Sequence, residues 1–152
     1  MKSTLNKNDF NHKCVVKVRF HEVDMLGVCN NAVYVTYFET ARLEYLKAAG
    51  LIPEKGIFSD GFDFYMVRNE INYLAHSRYD DELEVYTRIS YIKKSSYGFD
   101  HLVYNNTSAV IVAEGKGVVV QVDPKTGKSH PLSEIFREKV SKFENKKLEA
   151  ED

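Results

Sequence analysis

The sequence predicts an α+β fold in which a curved antiparallel β-sheet wraps around one long central helix. Three observations point there. A helical period runs through residues 31–49, four segments of period two follow it, and short links join those segments. Consecutive strands with short links pair antiparallel. The apolar face of such a sheet needs cover, and one long helix supplies it. The element order is β-α-β-β-β-β, closed by a short terminal helix.

Taken in order, residues 1–12 are polar and read as a flexible N-terminus. Residues 13–20, KCVVKVRF, carry Val15, Val16 and Val18 and read as the first strand. HEVDMLGV, residues 21–28, is turn-like, with Asp24 and Gly27. Asn30 and Asn31 are both good helix N-caps. After them Tyr34, Phe38, Ala41, Tyr45 and Ala48 recur at spacings of three and four, on one face. Val33, Val35, Tyr37, Leu43 and Leu46 widen that stripe, so the helix should be enclosed by other structure. Gly50 and Pro53 stop it, and residues 51–62 form a connection.

The period then becomes two. In residues 64–74, Tyr65, Val67, Ile71 and Tyr73 share one face. In Glu82–Ile92, Leu83, Val85, Ile89 and Tyr91 do so. Residues 97–104 and 109–122 are the last strands. Asn105-Asn106 suits the hairpin turn between them, and Gly115 and Gly117 suggest a bulge or bend. Residues 131–143 read as a short helix and 144–152 as a charged tail expected to fray. The domain is thus single, spanning 13–143.

With 152 residues, 43% hydrophobic and 28% charged, the chain suits one globular domain. A net charge of −1 gives no overall field toward nucleic acid or anionic lipid, so neither is expected as a partner. Cys14 and Cys29 make neither a metal spacing nor a disulfide framework. His21, His101 and His130 likewise show no metal spacing. The N-terminal stretch lacks the apolar core of a signal peptide, and no apolar run reaches the ~18 residues of a membrane helix. These features lead us to expect a cytoplasmic protein.

The segment richest in chemistry is 18–46, VRFHEVDMLGVCNNAVYVTYFETARLEYL. It sets one carboxylate, Asp24, in a turn just before a helix N-terminus. The first amides of a helix are unpaired donors carrying partial positive charge, a natural site for a developing oxyanion. A carboxylate beside it can attack a carbonyl carbon or activate a water to do so. On local pattern alone, Asp24 is also an ordinary turn or capping aspartate. Glu39 forms an ordinary i,i+3 pair with Arg42 or serves as a second carboxylate at the site. Cys29 reads as a small buried side chain, with no His behind it in the helix to activate it.

The string DMLGVCNNAVYVTYFETARLEYL resembles the signature of 4-hydroxybenzoyl-CoA thioesterase-like hotdog proteins. The matching positions are Asp24, Gly27, Val28, Asn30-Asn31, Tyr34 and Phe38-Glu39-Thr40-Ala41-Arg42. The Tyr79-Asp80-Asp81 turn and the cluster Lys93-Lys94-Ser95-Ser96 are similar to the family as well, and the resemblance covers about 15–143. It implies a hotdog fold and hydrolysis of an acyl-CoA thioester. Asp24 would be nucleophile or general base, and the Asn31 amide, with Asn30 beside it, would donate to the thioester carbonyl. Tyr34 would line the acyl pocket. Lys93, Lys94, Ser95 and Ser96 would meet the CoA phosphates. CoA would be part of the substrate, with no separate cofactor or metal, and the assembly would be a homodimer or a homotetramer.

Many family members carry His where this chain has Asn31, and an amide does not exchange protons near neutral pH. His76 stands where Pro is frequent. Asn-Asn pairs also occur in acyl-carrier-protein thioesterases of the same fold, which keeps that carrier open. A hydratase of this fold wants a His in the helix, and there is none. A non-catalytic acyl-CoA-binding hotdog protein is the remaining alternative.

Overall fold

The computed structural model describes residues 2–52 and 61–151. Residues 53–60, including Pro53 and most of the expected connection, lie outside them. The elements run β1 (His12–Lys17), α1 (Val33–Ala48), β2 (Asp63–Tyr73), β3 (Glu82–Ile92), β4 (Ser96–Asn105), β5 (Val110–Val122) and α2 (Glu134–Glu144). This is the expected order, and the strands form one sheet in the order β1-β3-β4-β5-β2. β1 runs antiparallel to β3, with Cys14 opposite Val85 and Val16 opposite Leu83. The first strand ends three residues early because Phe20–Glu22 coils into a 3-10 turn.

The residues divide into two compact units. The first comprises Met1–Tyr45, Ile71–Arg88 and His101–Gly115. Its core joins Tyr34, Tyr37, Phe38 and Ala41 of α1 to Leu83 and Val85 of β3, Val103 of β4, and Val112 and Ala113 of β5. These α1 positions follow the predicted spacing, which is why the helix buries this stripe. Ala48, expected on it, is exposed at the helix end. In the strands, the neighbouring positions of opposite parity, Tyr86 and Leu102, face the other side. There Phe10 packs on them, with Leu5, Tyr104 and Ile111 around it. Ser3 Oγ donates to Glu114 Oε2 at 2.5 Å. The N-terminal residues are therefore packed where the sequence suggests looseness: the second face of the strands is apolar here and they cover it.

The second unit comprises Leu46–Glu70, Ile89–Asp100 and Lys116–Asp152. Tyr97 meets Phe64, Phe99 and Phe136 edge-on or tilted, with centroids 6.3, 5.4 and 4.9 Å away. Two glycines mark close approaches. A Cβ on Gly98 would lie 2.2 Å from the Tyr91 ring, and one on Gly117 would lie 3.1 Å from Met66 Sδ. Gly117 thus marks a tight contact inside β5, where the sequence suggests a bulge or bend.

The tail differs from its expected fraying. Leu148 is buried, its carbonyl accepts from Ile92 N–H at 2.8 Å, and Ala150 N–H returns to Ile92 O at 2.9 Å. The left-handed position of the β4–β5 turn falls on Ala109, at φ 59°, and Asn105 Oδ1 caps Thr107 and Ser108. Among the described residues no helix is long and apolar enough to cross a membrane.

Candidate active site

Asp24 sits in a closed loop of the first unit. Val23 and Cys29 pair as an antiparallel bridge. Inside it, Asp24 N–H donates to Val28 O at 2.9 Å and Gly27 N–H to Asp24 O at 3.0 Å. Gly27 has φ +76°, a conformation that costs glycine little and other residues more. Asp24 Oδ1 accepts from Leu26 N–H at 2.8 Å. One carboxylate oxygen thus serves the turn, as the ordinary reading of a turn aspartate requires. Oδ2 has no hydrogen bond among the described residues. The loop tip, Met25 and Leu26, is fully or largely exposed.

The loop leads into α1 through fixed bonds. Cys29 N–H donates to Ser77 O at 2.7 Å and Asn30 N–H to Glu22 O at 2.9 Å. Asn30 acts as the cap: its Oδ1 accepts from Ala32 N–H at 2.9 Å and its carbonyl from Val33 N–H at 3.0 Å. The Asn31 amide, flanked by these bonds, has no acceptor among the described residues. The Asn31 carbonyl accepts from Tyr73 Oη at 2.8 Å, so this residue is held from both sides. The Asn31 amide is thus an unpaired donor just before a helix, seven residues after an aspartate with a free oxygen.

Around this backbone lies a tyrosine-rich wall. Tyr34 is buried, donates to Ser77 Oγ at 3.1 Å, and meets the Tyr37 and Tyr73 rings edge-on. Burial pushes its hydroxyl up to about 12, so it stays neutral. Tyr37 Oη donates to Glu22 Oε1 at 3.0 Å and lies 3.8 Å from Cys29 Sγ. Burial, and the Glu22 and Asp24 carboxylates after it, push the Cys29 thiol up, which keeps it protonated and poorly nucleophilic. Glu39 is exposed on α1. Glu22, Tyr73 and Ser77 escape a sequence reading because their partners are distant in the chain.

The Lys93–Ser96 turn belongs to the second unit. Lys93 N–H donates to Ser96 O at 2.8 Å, closing β3 onto β4. Lys93 Nζ sits 5.8 Å from the Tyr91 ring centroid, and Lys94 is exposed. Every carbonyl of the turn is engaged from outside it or across it. Arg137 of α2 donates to Lys93 O at 2.9 Å and Lys94 O at 3.0 Å, Leu132 N–H to Lys94 O, and Gln121 N–H to Ser95 O. Arg137 also reaches Glu149 at 2.5 Å. This clamp, too, has no short-range signature. Among the described residues no three His, Cys, Asp or Glu side chains converge as metal ligands.

Residues 18–140 match the thioesterase-like superfamily. The chain belongs to that superfamily. A thioesterase from Thermus thermophilus, whose structure was solved with coenzyme A and zinc, superposes with a TM-score of 0.80 at 33% identity, covering 92% of this chain and 98% of that one. The likeness establishes the hotdog fold. Among curated relatives, this thioesterase-like chain is 31% identical over 114 residues to the chloroplastic acyl-acyl carrier protein thioesterase ATL3 of Arabidopsis thaliana. The match takes in 75% of this chain and 60% of that relative's length. The acyl-CoA thioester hydrolase YbgC of Escherichia coli is 29% identical over 117 residues, 77% of this chain and 86% of YbgC.

Proposed function

We propose that the chain hydrolyses acyl-CoA thioesters to free acid and CoA. The observation that supports the proposal is a free Asn31 amide just before α1, seven residues after Asp24, whose Oδ2 accepts no hydrogen bond among the described residues. Asp24 acts in one of two ways. As nucleophile, Oδ2 bonds to the acyl carbon, the C–S bond breaks, the thiolate takes a proton from solvent, and water hydrolyses the anhydride. As general base, Oδ2 takes a proton from water while the hydroxide bonds to the carbon and the thiolate departs. In both, the Asn31 N–H donates to the carbonyl oxygen as it becomes negative.

Lys93, Lys94, Ser95 and Ser96 meet the CoA phosphates: ammonium and hydroxyl groups both donate to phosphate oxygens, and the clamp by Arg137 keeps their turn in one shape. Tyr34 acts from behind the acyl pocket as a buried wall, and Glu39 is a lesser candidate contact. The protein works as a homodimer or homotetramer. β2 supports this: it is an edge strand of eleven residues with Tyr65 and Val67 exposed, the kind of edge that proteins pair or cover.

The identity to ATL3 favours a second reading in which the acyl group arrives on acyl carrier protein. Thiol release, followed by colour with a disulfide reagent, tests both carriers. Asp24→Asn keeps an acceptor for Leu26 N–H, so the loop persists. Its kcat should drop about 10²- to 10⁴-fold, the usual contribution of a positioned base. A folded Asp24→Asn protein with the wild-type rate would refute the assignment.

A further inference from the structure

We infer that Glu22 and Tyr37 are positioning residues that lock the Asp24 loop to helix α1 and so set where the carboxylate stands. The inference rests on the catalytic reading of Asp24 and Asn31.

Glu22 uses three acceptor contacts at once. Its Oε1 takes Arg19 N–H at 2.8 Å and Tyr37 Oη at 3.0 Å, while its carbonyl takes Asn30 N–H at 2.9 Å. The first contact fixes the 3-10 turn that Glu22 ends. The second is a strut from the second turn of α1. The third joins the end of the turn to Asn30, the residue immediately before Asn31. From this anchor the ladder continues inward through the Val23–Cys29 bridge and the Asp24–Val28 bond. Asp24 follows Glu22 by two residues and Asn31 follows Asn30 by one, so both extend from the root where Glu22 pairs with Asn30.

Tyr37 suits a permanent strut. It is buried, and burial together with the acidic neighbourhood pushes its hydroxyl far above the usual range, so it remains a donor at every pH of interest. Its ring is braced edge-on by Tyr34 at 5.8 Å. Without the strut, the root keeps its backbone bond to Asn30 and the Arg19 N–H contact to the Glu22 side chain, but loses its hydrogen bond from Tyr37 of α1. Geometry at a reacting centre is steep in rate, with a displacement of about 1 Å costing up to ~10²-fold.

The test uses Tyr37→Phe, Glu22→Ala and Glu22→Gln in the full chain. Thermal unfolding is measured alongside, so that rates refer to folded protein. Tyr37→Phe and Glu22→Ala should lower kcat by roughly 10- to 100-fold with KM within about twofold. Glu22→Gln, which keeps an acceptor oxygen, should recover to within a few-fold of wild type. In an Asp24→Asn background, Tyr37→Phe should cost nothing further, because the group being positioned is gone. A purely structural role would give additive losses that follow the unfolded fraction, and that result overturns the inference. So do wild-type kcat values for Tyr37→Phe and Glu22→Ala alongside an inactive Asp24→Asn, which would leave the catalytic reading intact. An active Asp24→Asn removes the catalytic reading and this inference together.

Discussion

His101 should make the fold sensitive to mild acid. Its side chain is fully buried in the first unit, stacked on Phe38 with centroids 4.4 Å apart and planes 5° from parallel. Thr87 Oγ1 lies 3.0 Å from Nδ1. Burial, and Arg42 after it, hold the imidazole well below its ordinary value. The folded chain therefore resists a proton that the unfolded chain accepts at about pH 6.5. Stability from this residue is fully present above that pH and falls as pH drops toward the folded value, by up to about 1.4 kcal/mol per unit. Between pH 7.5 and 5.0 the loss is at most about 2 kcal/mol, or roughly 4–8 °C in Tm for a chain of this size. Urea unfolding followed by circular dichroism at pH 7.5, 6.0 and 5.0 measures it. His101→Gln keeps a polar partner for Thr87 and removes the titration. Its deficit relative to wild type should therefore narrow at pH 5.0, by up to about 2 kcal/mol. Carboxylates and the partly buried His12, whose pKa burial also lowers, act in both proteins and cancel in the difference. Parallel pH profiles, or an imidazole of His101 that titrates near 6.5 in the folded protein by NMR, would refute the reasoning.

Other outcomes follow from contacts already described. Gly98→Ala drives a methyl into the Tyr91 ring and should cost about 1–3 kcal/mol in urea unfolding, with Tyr91 displaced in its NMR spectrum. Leu148→Ala empties a buried position beneath the tail and should cost about 2 kcal/mol or more; unchanged stability would mean the tail is loose after all. The double substitution Lys93→Ala, Lys94→Ala should raise KM for an acyl-CoA roughly tenfold while leaving KM for the phosphate-free acyl-pantetheine unaltered. Equal effects on both substrates would remove these lysines from phosphate recognition.

The parts of the fold legible in the sequence are those set by neighbours along the chain. The α1 stripe appears at its three- and four-residue spacings, and the period-two strands and their order are recovered. Local turn chemistry is legible too: Asn30 caps α1, and Asp24 with Gly27 makes the loop before it. What escapes depends on chain segments meeting from afar. The N-terminal residues look polar, yet Phe10 covers Tyr86 and Leu102. The tail is a charge run, yet Leu148 anchors it. Tyr37 pairs with Glu22 fifteen residues away, Tyr73 with Asn31 forty-two away, and Arg137 with Lys93 forty-four away. No local pattern encodes such distances. Helical spacing reveals the ring of Tyr37, while its hydroxyl makes the bond that matters to the loop.

The unpaired donor at residue 31 belongs to the polypeptide itself, so every amino acid except proline supplies it. Scanning mutagenesis would pass over it: alanine, serine or histidine at that position all retain the group, and the exposed asparagine side chain is free to vary. Its contribution becomes visible only when the linkage is altered. Semisynthesis with an α-hydroxy acid at residue 31 exchanges the N–H for an ester oxygen, deleting one proton donor and leaving the side chains in place.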